Sequence, residues 1–117
     1  MDTSGYYMTA ELRIKDAAGI EETRKALIEL CAVTRTEPGC RFFLLHQNLS
    51  DPKSLFLWEC FDDEAAFKAH FEYPHTKAYF ARGLTDVVQN FKTVAIDGDV
   101  PATLLQSSVN ALPRRKQ

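Results

Sequence analysis

The sequence predicts one α+β domain with the element order β-α-β-β-α-β, the ferredoxin-like arrangement built on a four-stranded antiparallel sheet. Two observations predict it. Strand-forming stretches and stretches of helical periodicity follow one another in this order along 117 residues, a length that fits one domain. The two middle strands are also apolar at consecutive positions, which predicts a sheet that is covered on both faces.

The first half of the chain predicts a strand, a helix and a stop signal. Residues 6–14 alternate and are rich in strand formers, and a turn follows at residues 15–19. Residues 20–35 change to a period near 3.6, and acidic residues in the first turn suit the helix dipole. One stripe carries the buried side chains expected for this helix: Ile20, Leu27, Leu30, Cys31 and Thr34. Pro38 and Gly39 end the segment.

The second half predicts a hairpin, an interrupted helix and a last strand. Strands are expected at residues 40–49 and 54–61, with a turn at residues 48–53. Asp62 or Asp63 caps a helix that runs through Phe71, and Pro74 interrupts it. The helical spacing then continues to Phe91, where a strand over residues 91–96 begins. Residues 1–100 form the predicted domain, and residues 101–117 are expected to be a loose tail or an arm that clasps a partner.

The apolar hairpin predicts a homodimer. Four apolar residues follow one another in each of its strands, at 42–45 and at 55–58. Two helices can cover only one face of the sheet, so the other face needs an apolar partner. A second copy of the same sheet is the simplest one.

Composition excludes several classes of function. The net charge is -2 and the basic residues are scattered apart from a terminal cluster, so no nucleic-acid footprint is expected. No apolar stretch is long enough to span a membrane and no secretory signal is visible, so a cytoplasmic location is expected. Phosphate-loop, dinucleotide-binding, GxSxG and HExxH motifs are missing from the sequence, so we expect no cofactor.

Three cysteines, Cys31, Cys40 and Cys60, have no metal-binding spacing. The expected hairpin register places Cys60 opposite Phe43, about three residues from Cys40 and too far from it for a disulfide. We therefore expect reduced thiols with structural roles, although one reactive thiol stays an alternative.

Charged groups inside apolar elements are the candidate functional residues. Glu59 lies between Trp58 and Cys60 in a predicted strand, where an ionised carboxylate needs a partner. It either pairs with Arg13 or Arg41, or serves in a pocket by orienting a histidine or by accepting a substrate proton. His46, in the neighbouring strand, fits a structural role better than a catalytic one.

His70 and His75 flank the helix break at Pro74. Their spacing is not the i, i+4 spacing that places two ligands on one helix face, so we expect no metal site. A helix break makes a concave surface and imidazole titrates near neutral pH, which favours a functional role for at least one of them. Nearby aromatic side chains are candidates for the wall of the same cavity: Phe67, Phe71, Tyr73 and Tyr79.

Two motifs resemble the antibiotic-biosynthesis-monooxygenase family, and the quinol-monooxygenase branch in particular. They are EPGC at residues 37–40 and LWECFDDEAAFKAHFEYPHTKAYF at residues 57–80, and the first strand, TAELRI, is also similar. The resemblance implies a dimeric α+β barrel and a cofactor-independent oxygenase of quinols or phenols. Some relatives degrade haem with an Asn in the first strand and a Trp in the helix. This chain has Glu11-Leu12 and Ala69-His70 in those neighbourhoods, which argues against haem degradation.

The resemblance also implies roles for the candidate residues. We expect His70 to act as base or proton shuttle, with Glu59 orienting it or holding the substrate hydroxyl. The residues expected to bind substrate are His75, His46, Trp58, Phe43 and Tyr79. The expected partners are a second copy of the chain, a small quinol-like substrate and O2. Two alternatives remain, an isomerase or lyase of small oxygenated metabolites, as in autoinducer-2 processing, and a ligand-binding module without chemistry.

Overall fold

The computed structural model describes residues 5–96, and the expected tail at 101–117 lies outside them. The predicted element order is confirmed, with the interrupted helix present as two short ones. The strands are β1 (Tyr6–Ile14), β2 (Cys40–Asn48), β3 (Asp51–Phe61) and β4 (Thr85–Thr93). The helices are α1 (Ile20–Thr34), α2 (Glu64–His70) and α3 (Pro74–Arg82). No helix within residues 5–96 is long and apolar enough to cross a membrane.

The sheet is antiparallel and its strand order is β2-β3-β1-β4. This is the ferredoxin-like arrangement, so the predicted fold class is confirmed. A two-residue turn, Leu49 and Ser50, joins β2 to β3, and the Asn48 side chain accepts a hydrogen bond from the Ser50 N–H at 2.8 Å. Pro52 is tolerated near the start of β3 because Pro can begin a strand where no ladder donor is needed.

The helices cover one face of the sheet, which we call the inner face. Alternate residues of β3 project there, so Leu55, Leu57, Glu59 and Phe61 are all buried. The predicted stripe of α1 packs on this face, since Leu27, Leu30, Cys31 and Thr34 are buried. Arg35 then donates a hydrogen bond to the carbonyl of Phe43 at 2.7 Å, which ties the end of α1 to β2.

The opposite face, the outer face, carries large apolar side chains that no helix within residues 5–96 covers. Leu44 and Trp58 are direct neighbours across β2 and β3, and their exposed fractions are 43% and 42%. Phe91 on β4 lies across from Thr9 and is 51% exposed. The hairpin therefore has apolar residues on both faces, as its sequence predicts.

The last strand differs most from its prediction. It begins at Thr85 and not at Phe91, because α3 ends at Arg82. Gly83 has φ +59 and its N–H bonds to the carbonyl of Phe80, which stops the helix. Val87 and Val88, which continue the helical spacing, lie instead in β4. A bulge falls there between Val87, which pairs with Leu12, and Gln89, which pairs with Glu11.

The cysteine prediction is confirmed, with a change in register. Within residues 5–96 none of the three thiols forms a disulfide. A bulge places Cys60 opposite Phe42, and Cys40 lies opposite Phe61. Burial raises the pKa of the Cys31 thiol to about 11 and that of Cys40 to about 12, so both are protonated and unreactive at neutral pH.

Candidate active site

A cavity of about 130 Å³ lies between the inner face of the sheet and the helices. Most of its wall is apolar and aromatic, from Phe43, Leu57, Phe67, Phe71, Tyr79 and Phe80. Glu59 and His70 supply its titratable groups, together with the Tyr79 hydroxyl. Phe80 and Val87, which are half exposed, line the solvent side. An apolar pocket with a few polar groups is typical of a small-molecule site.

His70 is held by a second buried carboxylate, Glu37. The Nδ1 atom of His70 lies 2.9 Å from Oε2 and 3.2 Å from Oε1 of Glu37. Both side chains are buried, with exposed fractions of 5% and 2%. A carboxylate only accepts hydrogen bonds, so Nδ1 of His70 carries the hydrogen. In the neutral ring the Nε2 atom then keeps the lone pair that a base needs.

The second histidine of the break contacts the same carboxylate. Nε2 of His75 hydrogen bonds to Oε2 of Glu37, and the His75 side chain is 21% exposed. The ring of Tyr73 stacks on that of His75 with centroids 5.4 Å apart. The helix break therefore brings His70 and His75 together around Glu37. This convergence was not expected from their spacing.

Burial decides the protonation of His70. It lowers the pKa of the imidazole because the charged form loses its hydration, while the hydrogen bond that His70 donates to Glu37 opposes this shift. Aromatic rings surround the imidazole, with centroids 5.3 Å away for Phe43, 5.7 Å for Phe61 and 5.0 Å for Phe71. His70 is thus neutral near pH 7 and able to take a proton.

Glu59 is the unpaired carboxyl of the site. Neither expected ion pair forms, since Arg13 pairs with Asp51 and Arg41 pairs with Asp62. Within residues 5–96 the Glu59 carboxyl has no hydrogen bond, and Glu37, not Glu59, orients His70. Burial, followed by the charge of Glu37, raises the pKa of Glu59 to about 8. At neutral pH Glu59 is therefore mostly protonated and can donate a hydrogen bond into the cavity.

Local sequence explains how these groups converge. Glu37 follows α1, and its carbonyl accepts a hydrogen bond from the N–H of Cys40 at 3.1 Å. Gly39, at φ +84, completes this turn. Asp63 caps α2 through the N–H of Ala66 at 2.9 Å, which confirms one of the two expected caps. Pro74 is the first residue of α3, so the chain turns between the two histidines.

The other expected binding residues separate into two groups. Phe43 and Tyr79 line the cavity, and the Tyr79 hydroxyl is 2.8 Å from Oγ1 of Thr85. His46 and Trp58 belong to the outer face, with ring centroids 6.0 Å apart. Trp58 precedes Glu59 in β3, and alternation along a strand sends the two side chains to opposite faces. His46 and Trp58 therefore do not share a pocket with His70.

Glu37 is the site residue that is not predicted from the sequence as a functional group. In the sequence it is noticed only as the first residue of the EPGC motif. Its signal was an acidic residue next to a Pro-Gly turn, which more often marks an exposed loop than a buried carboxylate. Its burial depends on the approach of α2 and α3, which local sequence does not show.

Comparison with known proteins identifies the family of this chain. The sequence model of the family described as "Antibiotic biosynthesis monooxygenase" matches residues 5–82. The uncharacterized protein YjcS of Bacillus subtilis (strain 168) is 32% identical over 84 residues, which are 72% of this chain and 80% of that protein.

Solved structures show the same fold. That of protein YjcS is 30% identical, covers 84% of this chain and 100% of its own, and superposes with a TM-score of 0.72. SnoaB from Streptomyces nogalater, a cofactor-independent oxygenase solved as a mutant, is 14% identical over 84% of this chain and 98% of its own, with a TM-score of 0.70. This second likeness shows the fold alone. Because the family model matches well over half of the chain, the chain belongs to the antibiotic biosynthesis monooxygenase family.

Proposed function

We propose that this protein is a cofactor-independent monooxygenase that acts on a small quinol or phenol. The observation that carries the proposal is the cavity in which a neutral His70, oriented by Glu37, and a protonated Glu59 face an aromatic wall. Membership of the family and the oxygenase activity named for SnoaB support it. The quinol-monooxygenase branch is part of this proposal.

The cavity volume limits the size of the substrate. An apolar cavity of about 150 Å³ binds a single benzene ring. At about 130 Å³ this cavity is of the same size, so it suits a substrate with one aromatic ring better than a polycyclic one. The rings of Phe43 and Phe71 would contact the faces or edges of such a ring.

His70 is proposed as the base. Its Nε2 atom takes the proton of a phenolic hydroxyl, and the Glu37 carboxylate stabilises the imidazolium that forms, as an acid behind a histidine does in hydrolases. Protonated Glu59 donates a hydrogen bond to a substrate oxygen and holds the ring in place. This donor role is the same that a buried, protonated carboxylic acid has in other enzymes.

The substrate itself supplies the electrons. A phenolate transfers one electron to O2, and the resulting superoxide and phenoxyl radical combine at a ring carbon that carries hydrogen. The peroxide anion so formed takes back the proton held by His70 and becomes a hydroperoxide. Loss of water from this hydroperoxide leaves a quinone. A phenol and O2 thus give a quinone and water, and each product receives one of the two atoms of O2. The apolar wall keeps water from these reactive species.

Oxygen uptake tests the proposal. Purified protein is assayed with a panel of one-ring phenols and hydroquinones and with two- and three-ring analogues. We expect uptake above the spontaneous rate with one-ring compounds and a loss of about 10²–10⁴-fold in kcat for His70→Ala. Glu37→Gln should lose activity as well, while Glu72→Gln, at an exposed glutamate paired with Lys77, should not. Full activity of His70→Ala would refute the role of His70.

An isomerase reaction is the second candidate, because a neutral base and a protonated acid facing one cavity also suit proton transfer between carbons. An anaerobic assay separates the two, since turnover without O2 excludes the oxygenase. The open cavity counts against a binding module whose pocket is filled by its own side chains, and the large Trp58 side chain lies on the outer face, away from the cavity.

A further inference from the structure

Glu37 is a buried carboxylate without a permanent cation. Its side chain is 2% exposed, and within residues 5–96 its charged or chargeable partners are the imidazoles of His70 and His75. No Lys or Arg in that range contacts it. A buried carboxylate normally has a cation or a metal ion beside it, because desolvation of an unpaired charge is costly.

We propose that Glu37, His70 and His75 form a binding site for one divalent transition-metal ion, such as Zn²⁺ or Co²⁺. The three residues come from the loop after α1, the end of α2 and the start of α3. Their ligand atoms all lie within 4.8 Å of one another. Convergence of two imidazoles and a carboxylate from three separate elements is an arrangement that holds such ions.

The geometry needs only a small adjustment. Bonds of about 2.0–2.2 Å to a central ion place tetrahedral ligand atoms about 3.3–3.6 Å apart. The Nδ1 atom of His70 is already 2.9 and 3.2 Å from the two carboxylate oxygens. His75, the partly exposed member at the start of α3, can move outward, and solvent on its side can supply a water as fourth ligand.

The donor set selects the kind of ion. Mg²⁺ and Ca²⁺ take oxygen ligands, whereas imidazole suits Zn²⁺, Co²⁺, Ni²⁺ and Cu²⁺. The ion would replace the hydrogens that His70 and His75 now share with Glu37. It would therefore take away the hydrogen bond that orients His70 as a base, so metal binding and the proposed catalysis exclude each other. The binding itself does not rest on the proposed function.

A Co²⁺ titration of the chelator-treated full chain tests the site. We expect one Co²⁺ per chain by equilibrium dialysis, with visible absorption bands of a cobalt–imidazole complex. Glu37→Gln and His75→Ala should each weaken binding by more than about 100-fold, since loss of even an outer partner of a metal ligand costs about 10–100-fold. Two matched controls should keep wild-type affinity, Glu72→Gln for the carboxylate and His46→Ala for the imidazole.

His75→Ala also guards against a folding artefact, because His75 is the least buried of the three ligands. Its near-UV circular dichroism should equal that of the wild type while its cobalt bands are lost. Absence of stoichiometric binding to the wild type would overturn the proposal, and so would equal binding by the wild type, Glu37→Gln and His75→Ala. Oxygen uptake plays no part in this readout, so the metal site and the proposed oxygenase can fail separately.

Discussion

Two buried carboxyl groups lie near the same cavity and differ in their partners. Glu37 contacts two imidazoles, whereas the Glu59 carboxyl has no hydrogen bond within residues 5–96 and lies near the negative charge of Glu37. Glu37 can therefore support His70 as a base, while the raised pKa of Glu59 lets that carboxyl donate a hydrogen bond at neutral pH.

The raised pKa of Glu59 predicts a stability that falls with pH. Between its ordinary pKa of 4.5 and about 8, folded Glu59 holds a proton that the unfolded chain has lost. Unfolding then releases a proton, so the free energy of unfolding decreases as pH rises through this range. Glu59→Gln has no carboxyl to ionise. Its stability relative to the wild type should therefore rise with pH, by a few kcal/mol between pH 5 and pH 8.

Urea unfolding of both proteins at the two pH values measures this difference. Glu72→Gln, which removes an exposed carboxylate, should show no comparable change between pH 5 and pH 8. If the difference in unfolding free energy between Glu59→Gln and the wild type stays constant with pH, the raised pKa of Glu59 is contradicted.

At the scale of elements, the sequence predicts the site only where the signals are local. The Asp63 cap, the break at Pro74 and the stripe of α1 are all readable from neighbouring residues, and the structure agrees with them. The boundary between α3 and β4 is not readable in this way, because Val87 and Val88 fit both a helical and an extended pattern. Gly83 is the local signal that separates the helix from the strand, and its left-handed conformation ends the helix.

The turn that carries Glu37 also depends on a glycine in the left-handed conformation, Gly39. A Cβ atom at this residue would lie 2.8 Å from Cβ of Ala66 in α2, and φ is +84. Gly39→Ala should therefore destabilise the fold by about 2 kcal/mol or more, since both backbone strain and a contact with α2 are involved. Urea unfolding at pH 7 gives this value.

Gly19→Ala is the matched control for this prediction. Gly19 has φ -75, and its nearest new contact would be 3.7 Å, an ordinary packing distance. Its change in unfolding free energy should stay within about 1 kcal/mol. Equal effects of the two substitutions would show that neither the conformation nor the closeness of Gly39 matters.

At the scale of the whole molecule, the two faces of the sheet have different tasks. The inner face forms the core and the cavity, while the outer face presents Leu44, Trp58 and Phe91, which none of the helices in the described part of the chain covers. A contiguous exposed apolar surface of this kind is typical of an interface between proteins. The alternation of β3 links the two faces, because Trp58 and Glu59 are consecutive.

We propose that the outer face joins two copies of the chain face to face, as the apolar hairpin predicts. Leu44→Glu and Trp58→Glu each place a charge in the middle of this surface, and each should convert the dimer to a monomer in sedimentation equilibrium. Ile28→Glu, at an exposed apolar residue of α1 on the helical side, should leave the dimer intact. A monomeric wild type, or a Leu44→Glu protein that remains dimeric, would exclude this interface.

Because the cavity lies on the other side of the sheet, a monomeric variant should keep the ligand pocket. The oxygen-uptake assay on Leu44→Glu then shows whether catalysis needs the second copy.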